Sequence, residues 1–333
     1  MNLQTRWYGN AANPGIVSVG TWDPLLPNHE RALRDQADHA KRTGSSSVVV
    51  ILDPNPAIYV TEPSQWPAYS DVNARRHLIL GQGIDAVLQV NFRRQDLKLG
   101  AADLMRALAR HCAVDELWLG ATQTLGRGEL GSAQRIDSLA DERGFRVRRL
   151  GRSGSEQLGR EVRDSVAAGD IRTAAALTGH VPQWARPTTG AIRLAWHPGT
   201  YRVVPMRTFS SDPPWQVRSR SQTTVEIREA PDGMGVLAWP AGHRVLGFVG
   251  GPRDGRGGAS PERAPEREML EKYRVRVALR ALADAELRSR LKAHPSVALR
   301  QLGVPPEFID QVERALIVDG DPVAAASEGK KTK

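Results

Sequence analysis

The chain has 333 residues, 40% of them hydrophobic, and a formal charge of +9, which by length suits two domains with an appendage and ordinary apolar cores. A single cysteine, Cys112, excludes an intramolecular disulfide and a cysteine-cluster metal site and fits a reducing cytosol. No apolar run approaches the roughly 18 residues of a membrane span and Met1-Asn2-Leu3-Gln4 lacks a signal peptide's apolar core, so a soluble cytoplasmic protein is expected.

In chain order, apolar runs at Ile16–Val19, Val48–Leu52, Ala86–Val90, Glu116–Leu119 and Arg146–Arg149 predict strands. Between them the spacing predicts helices over His29–Arg42, Val72–Leu80, Ala101–His111 and Ser132–Arg143. Such alternation predicts an α/β domain with a doubly wound parallel sheet, whose ligands lie beyond the carboxyl ends of the strands and whose phosphate sites use helix N-termini. A further helix follows over Arg172–Thr178, closed by Gly179.

Beyond that point, turn-punctuated runs at Ala191–Trp196, Tyr201–Met206, Gln216–Ser219, Thr223–Arg228, Gly235–Trp239 and Arg244–Val249 predict a small six-stranded antiparallel β-barrel. Residues 251–265 read as a Gly/Pro/Arg linker, followed by helices over Glu266–His294, Pro295–Leu302 and Pro306–Leu316 and a disordered basic end. The expected domains are therefore 1–183, 186–250, the linker 251–265, and a C-terminal segment 266–333.

Charge and titratable groups exclude further classes. Residues 184–258 carry +5 of the excess, but Arg202, Arg207, Arg218, Arg220 and Arg228 are spaced like the solvated face of strands, without interleaved aromatics, so a nucleic-acid partner is not expected. His29, His77, His111, His180, His197 and His243 show no metal-ligand spacing, and no metal site is expected. Cys112 reads as a small buried hydrophobe.

The segment Gly20-Thr21-Trp22-Asp23-Pro24-Leu25-Leu26-Pro27-Asn28-His29 follows the first predicted strand and resembles the G-x-F-D-G-x-H-x-G-H signature of the bacterial bifunctional riboflavin kinase/FMN adenylyltransferase (FAD synthetase) family. Gly20, Trp22, Asp23 and the second histidine, His29, stand at matching positions, whereas Leu26 replaces the first histidine and Asn28 the intervening glycine. Val50–Pro56 resembles the family's F-x-P-H-P turn with Asn55 for histidine, and Gly83–Phe92 resembles its G-V-D strand. Gly120, Gly126, Gly128 and Gly131 match G-x-D-F-x-F-G-x-G-x-x-G at every glycine, while Thr122, Gln123 and Leu125 replace the acid and both aromatics. Near the domain's end Arg163 and the Gly169-Asp170 turn align with the I-S-S-T-x-I-R region, whose hydroxyl positions read Leu158, Gly159 and Arg160. A gapped alignment brings in Ser153 and Ser155 instead.

The resemblance implies a nucleotidyltransferase domain binding ATP with magnesium and FMN or FAD. In it Asp23 orders the loop, His29 contacts phosphate and Arg163 meets the triphosphate. The glycines, with Trp22 and Asn28, line the ligand. Pro198–Val203, Thr223–Ile227 and Arg244–Val249 resemble strands of the family's kinase barrel, but the glycine-rich loop with G-x-P-T-A-N is missing; kinase activity is not expected, and Glu226 reads as a solvated strand residue. Three classes stay open: a catalytically reduced homologue that binds nucleotide, regulates or assembles; a working FMN adenylyltransferase; and a nucleotidyltransferase repurposed for another phosphorylated substrate. The C-terminal helices read as a module for a protein partner.

Overall fold

The computed structural model describes residues 4–11, 15–61, 66–111, 113–120, 123–126, 132–150, 155–188, 191–231, 234–254, 285–302, 304, 309 and 312. Its first sheet holds β1 (Gln4–Gly9), β2 (Gly15–Gly20), β3 (Ser46–Asp53), β4 (Ala86–Asn91), β5 (Val114–Gly120) and β6 (Arg146–Leu150), in the order β1-β4-β3-β2-β5-β6. The strands from β2 to β6 are mutually parallel, and β1 pairs antiparallel with β4 at one edge. β2 and β3 are buried along nearly their whole length, as central strands covered on both faces must be.

Helices cover the two faces. On one, Val17, Val19, Val48, Val50, Leu117 and Leu119 pack against α3 (Ala101–Leu108) and α4 (Ala133–Arg143). On the other, Val49, Ile51 and Val87 meet α1 (Pro27–Thr43) and α2 (Val72–Leu80). Pro27 fits the first turn of α1, where no intrahelical N–H is needed, and Gly44 ends that helix at φ 68. Two more helices, α5 (Ser155–Ala168) and α6 (Ile171–Thr178), lead away from the sheet.

The second sheet is an antiparallel half-barrel of β7 (Gln183–Ala185), β8 (Ala191–Leu194), β9 (Gly199–Met206), β10 (Thr223–Glu229), β11 (Gly235–Ala238) and β12 (Val245–Gly250), ordered β7-β12-β9-β10-β11-β8. Six strands were expected, but not these six. Residues predicted as the strand Gln216–Ser219 lie instead in and just after a short helix, α7 (Pro214–Arg218). Pro214 opens it, and Val217 is fully buried. The sixth strand is β7, three residues too few to leave a period in the sequence. Glu226 is exposed on β10 and accepts from Arg228 Nε at 3.0 Å.

Residues of the first half of the chain enter the second core. Leu26 and Tyr69 pack in one cluster with Val162 and Val166 of α5, Ile171 and Leu177 of α6, and Trp196, Tyr201, Leu246 and Phe248 of the half-barrel. Tyr69 Oη donates to His180 O at 2.5 Å, His180 Nε2 contacts Leu25 O at 3.0 Å, and Trp196 Nε1 donates to Ala68 O at 2.8 Å.

Further on, α8 (Ala285–Ala293) and α9 (Pro295–Gln301) form their own small core from Leu287, Leu291, Ala298, Leu299, Val304, Ile309 and Val312. Most of the expected linker, the first part of the expected helix Glu266–His294, and Cys112 lie outside the described residues. Among the described residues no helix is long and apolar enough to cross a membrane.

A candidate ligand site at the strand ends

Strand order alone locates a crevice. From β2 the chain winds through β3 and β4 on one side, then returns to place β5 on the other side of β2; in open α/β sheets ligands bind at such a switch point, beyond the carboxyl ends of the strands. The loops after β2 and β5 therefore frame the site.

After Gly20 the chain turns at Trp22, which holds φ 54, a left-handed value unusual for a large side chain. The indole is pinned there because its Nε1 donates to Val50 O at 3.0 Å, and its ring lies about where a Cβ on Gly20 would project, 3.1 Å away. Asp23 accepts from the amides of Tyr69, at 3.1 Å, and Ser70, at 3.2 Å. Burial raises its carboxyl pKa, against the pull of the Arg75 guanidinium. Asp23 thus fastens the Tyr69–Ser70 segment to the loop.

Leu26 is 1% exposed. The position of the family's first histidine is thus part of the second core, facing α5. His29 lies edge-on to Trp22 with ring centroids 5.6 Å apart, and its Nδ1 accepts the Leu26 amide at 3.3 Å. It serves α1 as a helix cap, since one of the first-turn amides of a helix needs an outside acceptor. Asn28 Oδ1 accepts the His29 amide at 3.0 Å. Burial lowers the His29 pKa to about 4, so the ring is neutral near pH 7. A histidine whose folded value lies below its unfolded value of 6.5 binds fewer protons when folded, so stability falls as pH drops from about 6.5 towards about 4. Denaturation midpoints measured across that window should decline in the unmodified protein, with a shallower slope in His29→Gln; parallel slopes would refute the assignment.

Arg75 is the charged residue that the sequence reading missed. It sits on α2, 4% exposed, and donates to Thr21 O at 2.5 Å and to Asp53 at the end of β3. It thereby ties the loop after β2 to the end of the neighbouring strand while its charge opposes those of Asp23 and Asp53. Arg75→Met leaves two carboxylates without their cation. A fully buried broken pair costs about 3–5 kcal/mol; because the Asp53 side chain is 26% exposed, a loss of about 2–3 kcal/mol is expected from urea unfolding. A loss below about 0.5 kcal/mol would mean that water already carries that charge.

Across the crevice, Gln123 joins β5 to β2: its Oε1 accepts the Gly120 amide at 3.0 Å and its Nε2 donates to Val19 O at 2.6 Å. Leu125, 3% exposed, belongs to the first core. Gly126 has φ 93, and a Cβ there would come 2.5 Å from Leu99 O, so glycine is required. Gly128, Gly131 and Thr122 lie outside the described residues. Asn55, in place of the second-motif histidine, caps the 3-10 turn Pro56–Tyr59 by accepting from Ala57 N at 3.0 Å.

On α5, Leu158, Gly159 and Arg160 fall inside the helix rather than at its start, which is Ser155. The gapped alignment is thus the one that brings a serine to the helix start. Gly159 faces the site: a Cβ on it would lie 3.4 Å from Arg163 Nη1 and 3.8 Å from Leu26 Cδ1. The Arg163 guanidinium carbon stands 4.4 Å from the Trp66 ring centroid. Burial lowers its pKa, and Asp23 acts in the opposite sense. Trp22, Asp23, His29 and Arg163 are therefore gathered around one loop, and Gly20 and Gly120 end the two strands that flank the crevice. Arg163 fits an anionic phosphate; Leu26 does not. Among the described residues no three His, Cys, Asp or Glu side chains converge as a metal site needs.

A doubly wound α/β sheet with its crevice at the β2–β5 switch, joined to an antiparallel half-barrel, is the class these features define. Residues 10–159 match the FAD synthetase family. The bifunctional riboflavin kinase/FMN adenylyltransferase of Pseudomonas fluorescens is 26% identical over 168 residues, 49% of this chain and 54% of that protein. The chain thus spans about half the length of this curated relative. Among solved structures, a macrolide-efflux protein from Streptococcus pneumoniae shares the fold with a TM-score of 0.51 and 13% identity, covering 78% of this chain and 92% of that one.

Proposed function

We propose that this chain is a catalytically reduced FAD synthetase homologue that binds a nucleotide or phosphorylated ligand and works as a regulatory or assembly protein. One observation carries this reading: Leu26, at the position of a phosphate-contacting histidine, is committed to an apolar core. His29 supports it, being neutral near pH 7 with one nitrogen held by the cap. Among the described residues gathered at the loop, what remains for an anion is Arg163, over the ring of Trp66. The small C-terminal core, with Val297 56% exposed beside it, is the proposed contact for a protein partner.

A nucleotidyltransferase repurposed for another phosphorylated substrate is the second reading. It is favoured by Ser155 at the start of α5 and by the conversion of the flavin-facing positions to Gln123 and Leu125. Calorimetry of the purified protein with ATP, FMN and FAD, each with magnesium, tests the first reading: binding of ATP without flavin synthesis is the expected result. Consumption of labelled ATP in the presence of a metabolite pool would replace it with the second.

A further inference from the structure

We infer that Trp66 is the positioning residue for Arg163, and that the stacked pair presents the in-plane N–H edge of the guanidinium to a phosphate or diphosphate group. The inference rests on the nucleotide-binding reading above and adds the residue that makes its cation usable.

A guanidinium is planar, with its donors in the plane and its faces free for aromatic stacking. At 4.4 Å from the Trp66 centroid, one face of Arg163 is occupied. Among the described residues its N–H groups meet no acceptor; the nearby Asp23 carboxylate takes the amides of Tyr69 and Ser70 instead. An arginine held by its face and unspent at its edge is arranged for bidentate capture of an oxyanion.

Trp66 is itself well placed to hold it. Two residues on, Ala68 O accepts from Trp196 Nε1 at 2.8 Å, and the next two amides are the ones that Asp23 fastens. The tryptophan therefore projects from backbone pinned to both sheets. On the other side, Gly159 leaves room for the arginine to lie along α5 beside Leu26. A Cβ there would already be in van der Waals contact with the guanidinium, 3.4 Å from Nη1.

Titration calorimetry with ATP and with inorganic pyrophosphate tests the pair in the full chain. Trp66→Ala should weaken both ligands about 5- to 30-fold, as expected for loss of a partly desolvated cation–π contact. Trp66→Phe should restore binding to within about threefold, because stacking survives. In an Arg163→Met background, Trp66→Ala should have no further effect, since the coupling partner is gone. Pyrophosphate binding alone separates recognition of the anion from recognition of the base. Unchanged or tighter binding in Trp66→Ala, or an equal loss with and without Arg163, overturns the inference while leaving the nucleotide-binding reading intact. Absence of binding by the unmodified protein overturns both.

Discussion

FAD formation from FMN and ATP by the unmodified protein is expected to be undetectable, or at least about 1,000-fold slower than by an intact family member, because one lost preorganised donor already costs about 100- to 1,000-fold. Adenylyl transfer gains its rate from alignment and from donors aimed at developing charge. Leu26 donates nothing, and no rotation of a neighbour replaces it, because the side chain is enclosed with Tyr69, Val162 and Trp196. His29 keeps one nitrogen on the Leu26 amide. Gln123 spends both ends of its amide on Gly120 and Val19, where the family places a flavin-contacting group. Chromatographic detection of FAD against a heat-killed control measures the outcome; synthesis within about tenfold of an intact enzyme would establish a working adenylyltransferase and remove the reduced-homologue reading.

Leu26→His, the change that writes the signature back into the sequence, should destabilise the protein by about 3 kcal/mol rather than restore its chemistry. The leucine is 1% exposed in the core that joins α5, α6 and the half-barrel. Removing it forfeits apolar packing, and the imidazole put in its place must be desolvated in a cluster made largely of apolar side chains. Adding Asn28→Gly removes the acceptor for the His29 amide as well. Urea unfolding of the single and double variants gives the cost. A loss below about 1 kcal/mol, together with gained ATP affinity, would show that the position still belongs to a ligand pocket.

The elements of the first sheet were legible because their cause is local. Val48–Leu52 and Ala86–Val90 are apolar runs of strand length, and α2 was bounded to the residue because Asp71 caps it and Gly81 ends it. β1 escaped because an edge strand exposes one side and mixes its pattern: Gln4, Arg6 and Gly9 are exposed while Trp7 is half-buried. β7 and α7 were misread for reasons of length and of tertiary context, respectively. The site was legible in outline, since glycine spacing marked both loops, but not in its wiring. Arg75 stands in the polar run Asn73-Ala74-Arg75-Arg76-His77, and nothing local says that only one of its two arginines meets Asp53. An acid closing an apolar strand, as Asp53 does, was the signal that would have suggested a buried cation nearby. Leu26 shows the same limit from the other side: its burial is decided by partners such as Phe248, far beyond any window of periodicity.

That distance has a consequence for how the protein is made. The loop that frames the crevice owes its shape to residues translated long after it: Leu25 O waits for His180, and Leu26 waits for Phe248. At about 5–20 residues per second, the loop spends on the order of ten seconds or more outside the ribosome before its last neighbours emerge. The parallel sheet can assemble in that interval, but the crevice cannot take its final form until the half-barrel has been synthesised, so its completion comes well after that of the sheet beneath it.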